Sequence, residues 1–378
     1  MIKVLLNLQT TPNSLNVYNI NGNNNSFYHP KISYQPNKQY QETDINTQSK
    51  PTYHNLSLAP KIHGFYGRKK DLEFLSNWIS NQKTSLISVL GLSGIGKTTL
   101  VKKFVDLHLD EFEVIIWRSL KFPKSLNLLI DDLLNVCEEK AKQNIDDKLK
   151  QLFDIFKDKK CLIILDDLEN IFIHPQYAGQ YQPEYQNYQT FLKMITEIEH
   201  QSCVIIISQE KCQEMISLDD ELYPSHCLEL SGLGDAVIEI LKNQELQNQE
   251  VWLELINLYE SNPRYLQYIS TLIKDIFQGE TSEFIQENCL ILTEDMKTQL
   301  DLTWNKLTNV EKQILSKIAQ HDQPLSRDEI KNSLSLSSID IINGLQSLTR
   351  RYLLTKSENN EKLFHLSPVF REFLKNIS

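Results

Sequence analysis

The stretch LISVLGLSGIGKTTLVKKFVDL, residues 86–107, decides the fold of this chain. Its middle part, Gly91 to Thr98, reads GLSGIGKT and is a complete G-x-x-x-x-G-K-[ST] motif between an apolar run and an amphipathic segment. Glycines at this spacing let consecutive backbone N–H groups point at phosphates, and the following helix directs the positive end of its dipole at them. The pattern predicts a P-loop, which binds a nucleoside triphosphate.

Each position of the loop has an expected task. The ammonium of Lys97 supplies charge for the β- and γ-phosphate oxygens, and the hydroxyl of Thr98 is a ligand for Mg²⁺. An ordinary glycine-rich turn is the alternative, but the strand before the loop and the helix after it favour the P-loop. The predicted nucleotide-binding residues of the loop are Gly91, Ser93, Gly94, Ile95, Gly96, Lys97, Thr98 and Thr99.

Length and charge narrow the class of protein. With 378 residues the chain is long enough for two or three domains. Its formal net charge of −10 argues against extensive binding to a nucleic-acid phosphate backbone, since such binding requires a basic surface. Neither a signal sequence nor a membrane-spanning apolar segment is visible. We therefore expect a soluble, cytoplasmic protein with no membrane partner, and nucleic acid is not the expected partner.

The composition changes along the chain and predicts four regions. Residues 1–60 are rich in Asn, Gln, Ser, Pro and Tyr, which is typical of a disordered tether, although Met1–Leu8 is a candidate edge strand. Residues 61–225 are predicted to form the nucleotide-binding domain. A small helical domain at 226–292 and a winged-helix domain at 293–378 are expected to follow.

Continuously apolar strands alternate with helices after Phe65, which predicts a parallel sheet covered on both faces. After a strand-like Cys227–Leu230 the pattern becomes helical, and a hairpin is expected between Leu353 and Leu366 with its turn at Glu358–Glu361. The predicted fold is an α/β P-loop NTPase with a parallel sheet, followed by an all-helical module and a winged-helix domain. The main predicted strands are Leu86–Leu90, Val114–Trp117, Cys161–Leu165 and Cys203–Ile207.

The segment CLIILDDLEN, residues 161–170, is the second signal of a phosphate site. It is an apolar strand that ends in acids, and a P-loop enzyme needs such a strand to complete its Mg²⁺ site. We expect Asp166 to hold Mg²⁺ together with Thr98. Asp167 and Glu169 are candidates for orienting or deprotonating the attacking water, or they cap the segment that follows. Asp166, Asp167 and Glu169 are thus the candidate catalytic residues.

Several motifs in order resemble the NB-ARC branch of the STAND class of signalling ATPases. These motifs are FYGRKKDLEFL (65–75), VIIWRSL (114–120), SNPRYL (261–266) and LTWNKLTNVEKQILSKIA (302–319). The resemblance implies ATP or ADP with Mg²⁺ as cofactors. It also implies a switch in which nucleotide exchange controls domain opening, homo-oligomerisation in the ATP state, and sensor and effector proteins as partners.

The resemblance assigns three further residues to the nucleotide. Arg68 contacts it, or alternatively pairs with surface acids, and Pro263 approaches it. Gln209 stands where the family usually has an arginine that senses the γ-phosphate. A neutral amide cannot stabilise transition-state charge as a guanidinium does, so any ATPase activity is expected to be slow.

Two alternatives to the switch remain open. The first alternative is a scaffold that keeps ADP or ATP as a structural ligand without hydrolysis. The second is a regulator that binds DNA through the winged helix. For DNA contact the candidates are Arg350 and Arg351, but nearby carboxylates favour a solvated surface for both arginines.

Overall fold

The described residues contain a parallel sheet of six strands in their N-terminal part. This computed structural model describes residues 52–216, 225–357 and 363–377. The candidate edge strand Met1–Leu8, most of the predicted tether and the predicted turn at Glu358–Glu361 lie outside the described residues. The strands are β1 (Tyr53–Asn55), β2 (Leu86–Leu90), β3 (Val114–Ser119), β4 (Cys161–Asp166), β5 (Cys203–Ser208) and β6 (Ser225–Glu229), in the spatial order β1-β3-β4-β5-β2-β6.

Strands β2 to β5 form the centre of the sheet and confirm the four predicted strands. Side chains alternate between its two faces, so that Ile87 and Val89 pack on one core while Leu86 and Leu90 pack on the other. Helices cover both faces, as the continuously apolar strands predict. These helices are α1 (Lys69–Ser80), α2 (Lys97–Leu107), α3 (Leu126–Val136), α4 (Ile145–Asp158) and α5 (Asn187–Glu197).

At both edges the sheet extends beyond the predicted nucleotide-binding domain, although the predicted strand-like Cys227–Leu230 corresponds to β6. Strand β1 lies inside the segment predicted to be a tether, yet Tyr53 pairs in parallel with Val114 of β3. At the other edge β6 pairs with β2, so the sheet continues past the predicted domain boundary at residue 225. Neither edge strand carries a long apolar run, so the local sequence signal for both is weak.

Helices dominate the rest of the described chain. A small antiparallel sheet accompanies them, formed by β7 (Leu325–Ser326), β8 (Leu354–Lys356) and β9 (Leu363–Leu366) in the order β7-β9-β8. The helices are α6 (Ile238–Asn243), α7 (Trp252–Leu258), α8 (Pro263–Ile276), α9 (Thr281–Gln286), α10 (Glu294–Asn305), α11 (Asn309–Ala319), α12 (Arg327–Ser333), α13 (Ser338–Arg350) and α14 (Pro368–Ile377).

One continuous hydrophobic core runs through this helical part, from Val237 to Leu374. The boundary predicted at residues 292 and 293 therefore does not separate two cores. Helices α11, α12 and α13 precede β8 and β9, so the helices and the hairpin occur in the predicted order. In the described ranges no helix combines the length and the apolar character that crossing a bilayer requires.

Candidate nucleotide-binding site

The loop between β2 and α2 has the backbone conformation that its glycines allow. Gly91, Gly94 and Gly96 have φ angles of +142°, +75° and +101°. At Gly94 a Cβ atom would lie 2.6 Å from Cβ of Arg264, which belongs to α8. Glycine is thus required here both by the backbone angles and by the close approach of α8.

Lys97 begins α2, and its ammonium folds back onto the loop. The Nζ atom donates hydrogen bonds to the carbonyl oxygens of Gly91 at 2.8 Å and Leu92 at 2.9 Å. Burial lowers the pKa of Lys97 to about 8, although the negative charges of Glu169 and Asp166 act in the opposite direction. The Lys97 ammonium, which the sequence predicts to bind phosphate oxygens, therefore lies inside the loop, where the charges of Glu169 and Asp166 act on it.

Thr98 and Asp166 meet at the carboxyl end of β4, as predicted. The hydroxyl of Thr98 donates to Oδ1 of Asp166 at 3.3 Å. Burial, together with the negative charges of Asp167 and Glu169, raises the pKa of Asp166 to about 7. A hydroxyl and a carboxylate side by side are hard oxygen ligands of the kind that Mg²⁺ prefers, so this pair fits the ion.

The two remaining acids have partners of their own. Asp167 accepts a hydrogen bond from the hydroxyl of Ser119 at 2.8 Å, and its side chain does not cap the 3₁₀ turn that follows it. Glu169 is buried and accepts hydrogen bonds from both the backbone N–H (3.2 Å) and the side-chain amide (2.6 Å) of Gln209. Gln209 is thus hydrogen-bonded directly to one of the candidate catalytic acids, Glu169.

Arg68 spans three neighbours. Its Nη2 atom donates to the carbonyl oxygens of Ile95 in the P-loop at 2.9 Å and Ser231 at 2.6 Å, while Nη1 lies 3.4 Å from Asp71. The structure therefore gives Arg68 an acidic partner, which was one of the two alternatives, and places it beside the P-loop. Its contact with a nucleotide, the other alternative, stays a prediction.

Pro263 is the first residue of α8, and Asn262 before it was missed by the sequence reasoning. The side chain of Asn262 caps the helix and donates to the carbonyl oxygen of Ser93 at 3.3 Å. An Asn followed by Pro at the start of an apolar periodic segment is a helix-start signal that could have identified it.

A cavity of about 450 Å³ lies between the P-loop and the helical part. Residues 61–66, Arg68, α6 and the start of α8 form its walls together with the loop. The sequence-predicted residues that line it are Arg68, Gly94, Ile95, Gly96, Thr99 and Pro263. Lys97, Thr98, Asp166, Asp167, Glu169 and Gln209 are not part of this lining and form a second cluster around the end of β4.

The parallel sheet, the glycine-rich loop and the acid at the end of β4 define a P-loop NTPase fold. A Walker-type ATPase of Pyrococcus abyssi aligns with 87% of this chain and 99% of its own, with a TM-score of 0.54 and 13% identity. The NB-ARC domain family model matches residues 68–172. The predicted NB-ARC resemblance is thereby confirmed for this range, which contains the P-loop and the acids after β4.

Curated relatives match longer and shorter parts of the chain. An uncharacterised WD repeat-containing protein of Nostoc sp. is 29% identical in an alignment 338 residues long, which covers 84% of this chain and 27% of that protein. The ToMV resistance protein Tm-2(2) of Solanum lycopersicum is 33% identical in an alignment 113 residues long, which covers 28% of this chain and 13% of that protein. The chain thus spans about a quarter or less of the length of these relatives.

Proposed function

We propose that this protein is a nucleotide-dependent switch of the NB-ARC type, which binds ADP in a closed form and ATP in an open form. The observation that carries the proposal is the cavity of about 450 Å³, because two parts of the chain build it. Arg68 and Gly94 belong to the sheet domain and its loop, whereas Pro263 and Arg264 belong to α8. A ligand that touches both parts can favour one arrangement of them over another.

The chemistry of the site assigns the remaining roles. Backbone N–H groups of the P-loop and Lys97 hold the phosphates, and Thr98 and Asp166 hold Mg²⁺, which usually keeps phosphate oxygens and waters as its other ligands. Arg68, Pro263 and Gln209 are the further nucleotide contacts. If hydrolysis occurs, Asp167 and Glu169 are the candidates for orienting or deprotonating the water.

Helices α11 to α13 with β8 and β9 form the winged-helix module in this proposal. Exchange of ADP for ATP releases this module and permits self-association, and sensor and effector proteins act on the same equilibrium. The opening requires that the γ-phosphate interacts differently with the two arrangements, because a ligand of equal affinity for both shifts nothing.

Nucleotide binding by Lys97→Ala tests the proposal. We expect titration with fluorescent ATP and ADP analogues to show affinities about tenfold to hundredfold lower than wild type, since a hydrogen-bonded charge is lost. Lys102→Ala is the matched control, because Lys102 lies on the same helix and pairs with Asp106 rather than with the loop. Undiminished affinity in a folded Lys97→Ala variant would contradict the proposal.

A scaffold that keeps its nucleotide without hydrolysis is the second candidate. The hydrogen bond of 2.6 Å between Gln209 and Glu169 favours the scaffold. It engages a carboxylate oxygen of one of the acids that could otherwise activate water. We expect the two candidates to differ in phosphate release by wild type, Asp166→Ala and Gln209→Arg. Release by wild type that Asp166→Ala abolishes supports the switch, whereas release by Gln209→Arg alone supports the scaffold.

A further inference from the structure

Arg351, at the end of α13, is buried in the structure. The sequence-based prediction of a solvated surface is therefore wrong for this residue. Its side chain is 4% exposed and bonds in three directions. Nη1 pairs with Glu210, Nε lies 3.2 Å from Oε1 of Glu311, and Nη2 donates to the carbonyl oxygen of Gln176 at 2.7 Å. Burial at this level is rare for an arginine unless every donor direction is matched.

The partners of Arg351 come from two parts of the chain. Glu311 belongs to α11 of the same helical module, whereas Gln176 and Glu210 follow strands β4 and β5 of the large sheet. A second bond crosses between these parts nearby, since the backbone N–H of Ala178 donates to the hydroxyl of Ser347 at 2.7 Å. The hydroxyl of Ser347 in turn donates to Glu311 at 2.6 Å.

Glu210 connects Arg351 with the candidate nucleotide site. It directly follows Gln209, which is held by Glu169, and Glu169 lies three residues after the candidate Mg²⁺ ligand Asp166. The P-loop residue Ser93 also lies near Glu210 and Arg351. Ser93, Gln209, Glu210, Lys306 and Arg351 all line one void of about 40 Å³.

The charges around Glu210 make the contact dependent on Arg351. Burial raises the pKa of Glu210 to about 7, and the positive charges of Arg351 and Lys306 oppose this effect. Burial and the same two charges lower the pKa of His174 to about 4, so its imidazole, 3.6 Å from Glu210, is neutral near pH 7. Removing one partner of a buried ion pair is strongly destabilising, so the loss of either Arg351 or Glu210 should disrupt the contact.

We propose that Arg351 is the positioning residue that couples the candidate nucleotide site to the C-terminal module. It holds Glu210, and through the adjoining backbone Gln209, in the geometry of the closed form, and its release accompanies opening. The proposal rests on the switch described above, because it names the contact through which the nucleotide state reaches the module. It requires that Gln209 and Glu210 move together when the γ-phosphate is bound.

Arg350 provides a matched control on the neighbouring position. Its side chain is only partly buried, and its Nη2 atom lies 3.4 Å from Oε1 of Gln213 in a solvent-exposed bond. The carbonyl oxygen of Arg350 accepts a hydrogen bond from the backbone N–H of Lys211 at 3.0 Å, and a side-chain substitution leaves that bond in place. Arg350→Met and Arg351→Met therefore remove the same charge from adjacent residues, but only the second change removes the buried contact.

The experiment compares the full chain carrying Arg351→Met, Glu210→Gln, both changes together, or Arg350→Met. The first readout is the ratio of ADP to ATP affinity, and the second is hydrogen exchange of α13 and of residues 174–178. We expect Arg351→Met and Glu210→Gln each to lower the affinity ratio about tenfold, within the usual range of coupling between sites. Both variants should lose exchange protection, the double variant should resemble the single ones, and Arg350→Met should match wild type.

Two outcomes overturn the proposal: an unchanged ratio with unchanged protection in a folded Glu210→Gln variant, or strictly additive effects in the double variant. Glu210→Gln keeps the shape of the side chain, so it decides the question if Arg351→Met does not fold. If wild type binds no nucleotide, the switch fails, but exchange protection still decides whether Arg351 holds the module. Equal protection in Arg351→Met and Arg350→Met then rejects the contact itself.

Discussion

The side chain of Asn262 joins the start of α8 to the P-loop through Ser93. Its Nδ2 atom donates to the carbonyl oxygen of Ser93 at 3.3 Å, and its Oδ1 atom accepts from the backbone N–H groups of Arg264 at 3.0 Å and Tyr265 at 3.3 Å. One buried amide therefore stabilises the helix and fixes the loop, and these two effects can be separated by substitution.

We expect Asn262→Ala to lower the free energy of unfolding by about 1 kcal/mol, because the helix loses its N-cap. Its nucleotide affinity should also fall several-fold, because the loop loses its tie to α8. Asn262→Ser is the control, since serine caps a helix but is too short to reach Ser93. Urea unfolding and nucleotide titration should show nearly normal stability with weakened binding in Asn262→Ser; normal binding there would contradict a role for the Ser93 contact.

Gly94→Ala should harm the loop more than Gly96→Ala. Both residues have a positive φ, which costs an alanine about 1 kcal/mol or more. Only at Gly94 would the new Cβ overlap Arg264, at 2.6 Å, which adds about 1–3 kcal/mol, whereas nothing lies within 4 Å at Gly96. Urea unfolding of the two variants measures the difference. Equal losses of stability would show that α8 does not lie as close to the loop as described.

Arg118→Met should destabilise the protein by about 2 kcal/mol, less than for a fully buried pair because Asp132 is partly exposed. Arg118 donates to Asp132 through Nε at 2.7 Å and Nη2 at 3.1 Å, and through Nη1 to Asn55 of β1 at 3.1 Å. The control is Lys124→Met, which removes an exposed partner of Asp132 at 3.4 Å and should cost less than about 1 kcal/mol.

The effect of Arg118→Met should depend on pH. Burial raises the pKa of Asp132, but the hydrogen bonds and charge of Arg118 outweigh this and bring it below the usual 3.8. The stabilisation is therefore present above the usual pKa and is lost as the pH falls through the lowered one. Thermal unfolding at pH 7 and pH 3 should show a smaller gap between wild type and variant at pH 3. A gap that widens with acid would contradict the ion pair.

Cys289 should be the first thiol to react with an alkylating reagent in the folded protein. It is exposed, whereas Cys137, Cys161, Cys203 and Cys212 are buried. Burial also raises the pKa of Cys161 and Cys212 to about 12 and that of Cys227 to about 11, which lowers their thiolate content. Mass spectrometry should find one rapid adduct in wild type and none in Cys289→Ser. Several rapid adducts in wild type would show that the sheet opens readily.

The central strands and the P-loop could be predicted because their signals are local. Leu86–Leu90 has the predicted bounds, and the strand that ends in Asp166 lies beside Thr98 as expected. Continuous apolar runs indicate strands buried on both faces, and parallel order brings their carboxyl ends to one edge of the sheet. These two rules together predict that Thr98 of the P-loop and Asp166 lie close to each other, although 68 residues separate them in the chain.

Short edge strands and buried charges could not be predicted in this way. Strand β1 has three residues and gains its stability from pairing with β3. Arg351 has the same sequence signals as its neighbour Arg350, yet only Arg351 is buried. The direction of the helix end and the position of the carboxylate partners decide which of the two adjacent arginines is buried. The sequence does not show this, because one of those partners, Glu210, lies 141 residues away in the chain.

By itself, the sequence determined the phosphate loop, the acids that follow β4 and the alternation that builds a parallel sheet. Glycine spacing, apolar runs and terminal acids act over a few residues, so the chain order displays them directly. Tertiary structure alone decided that Asn262 ties α8 to Ser93, that Gln209 binds Glu169 and that Arg351 is buried against Glu210. Each of these contacts joins segments that only folding brings together, and burial sets the strength of each one.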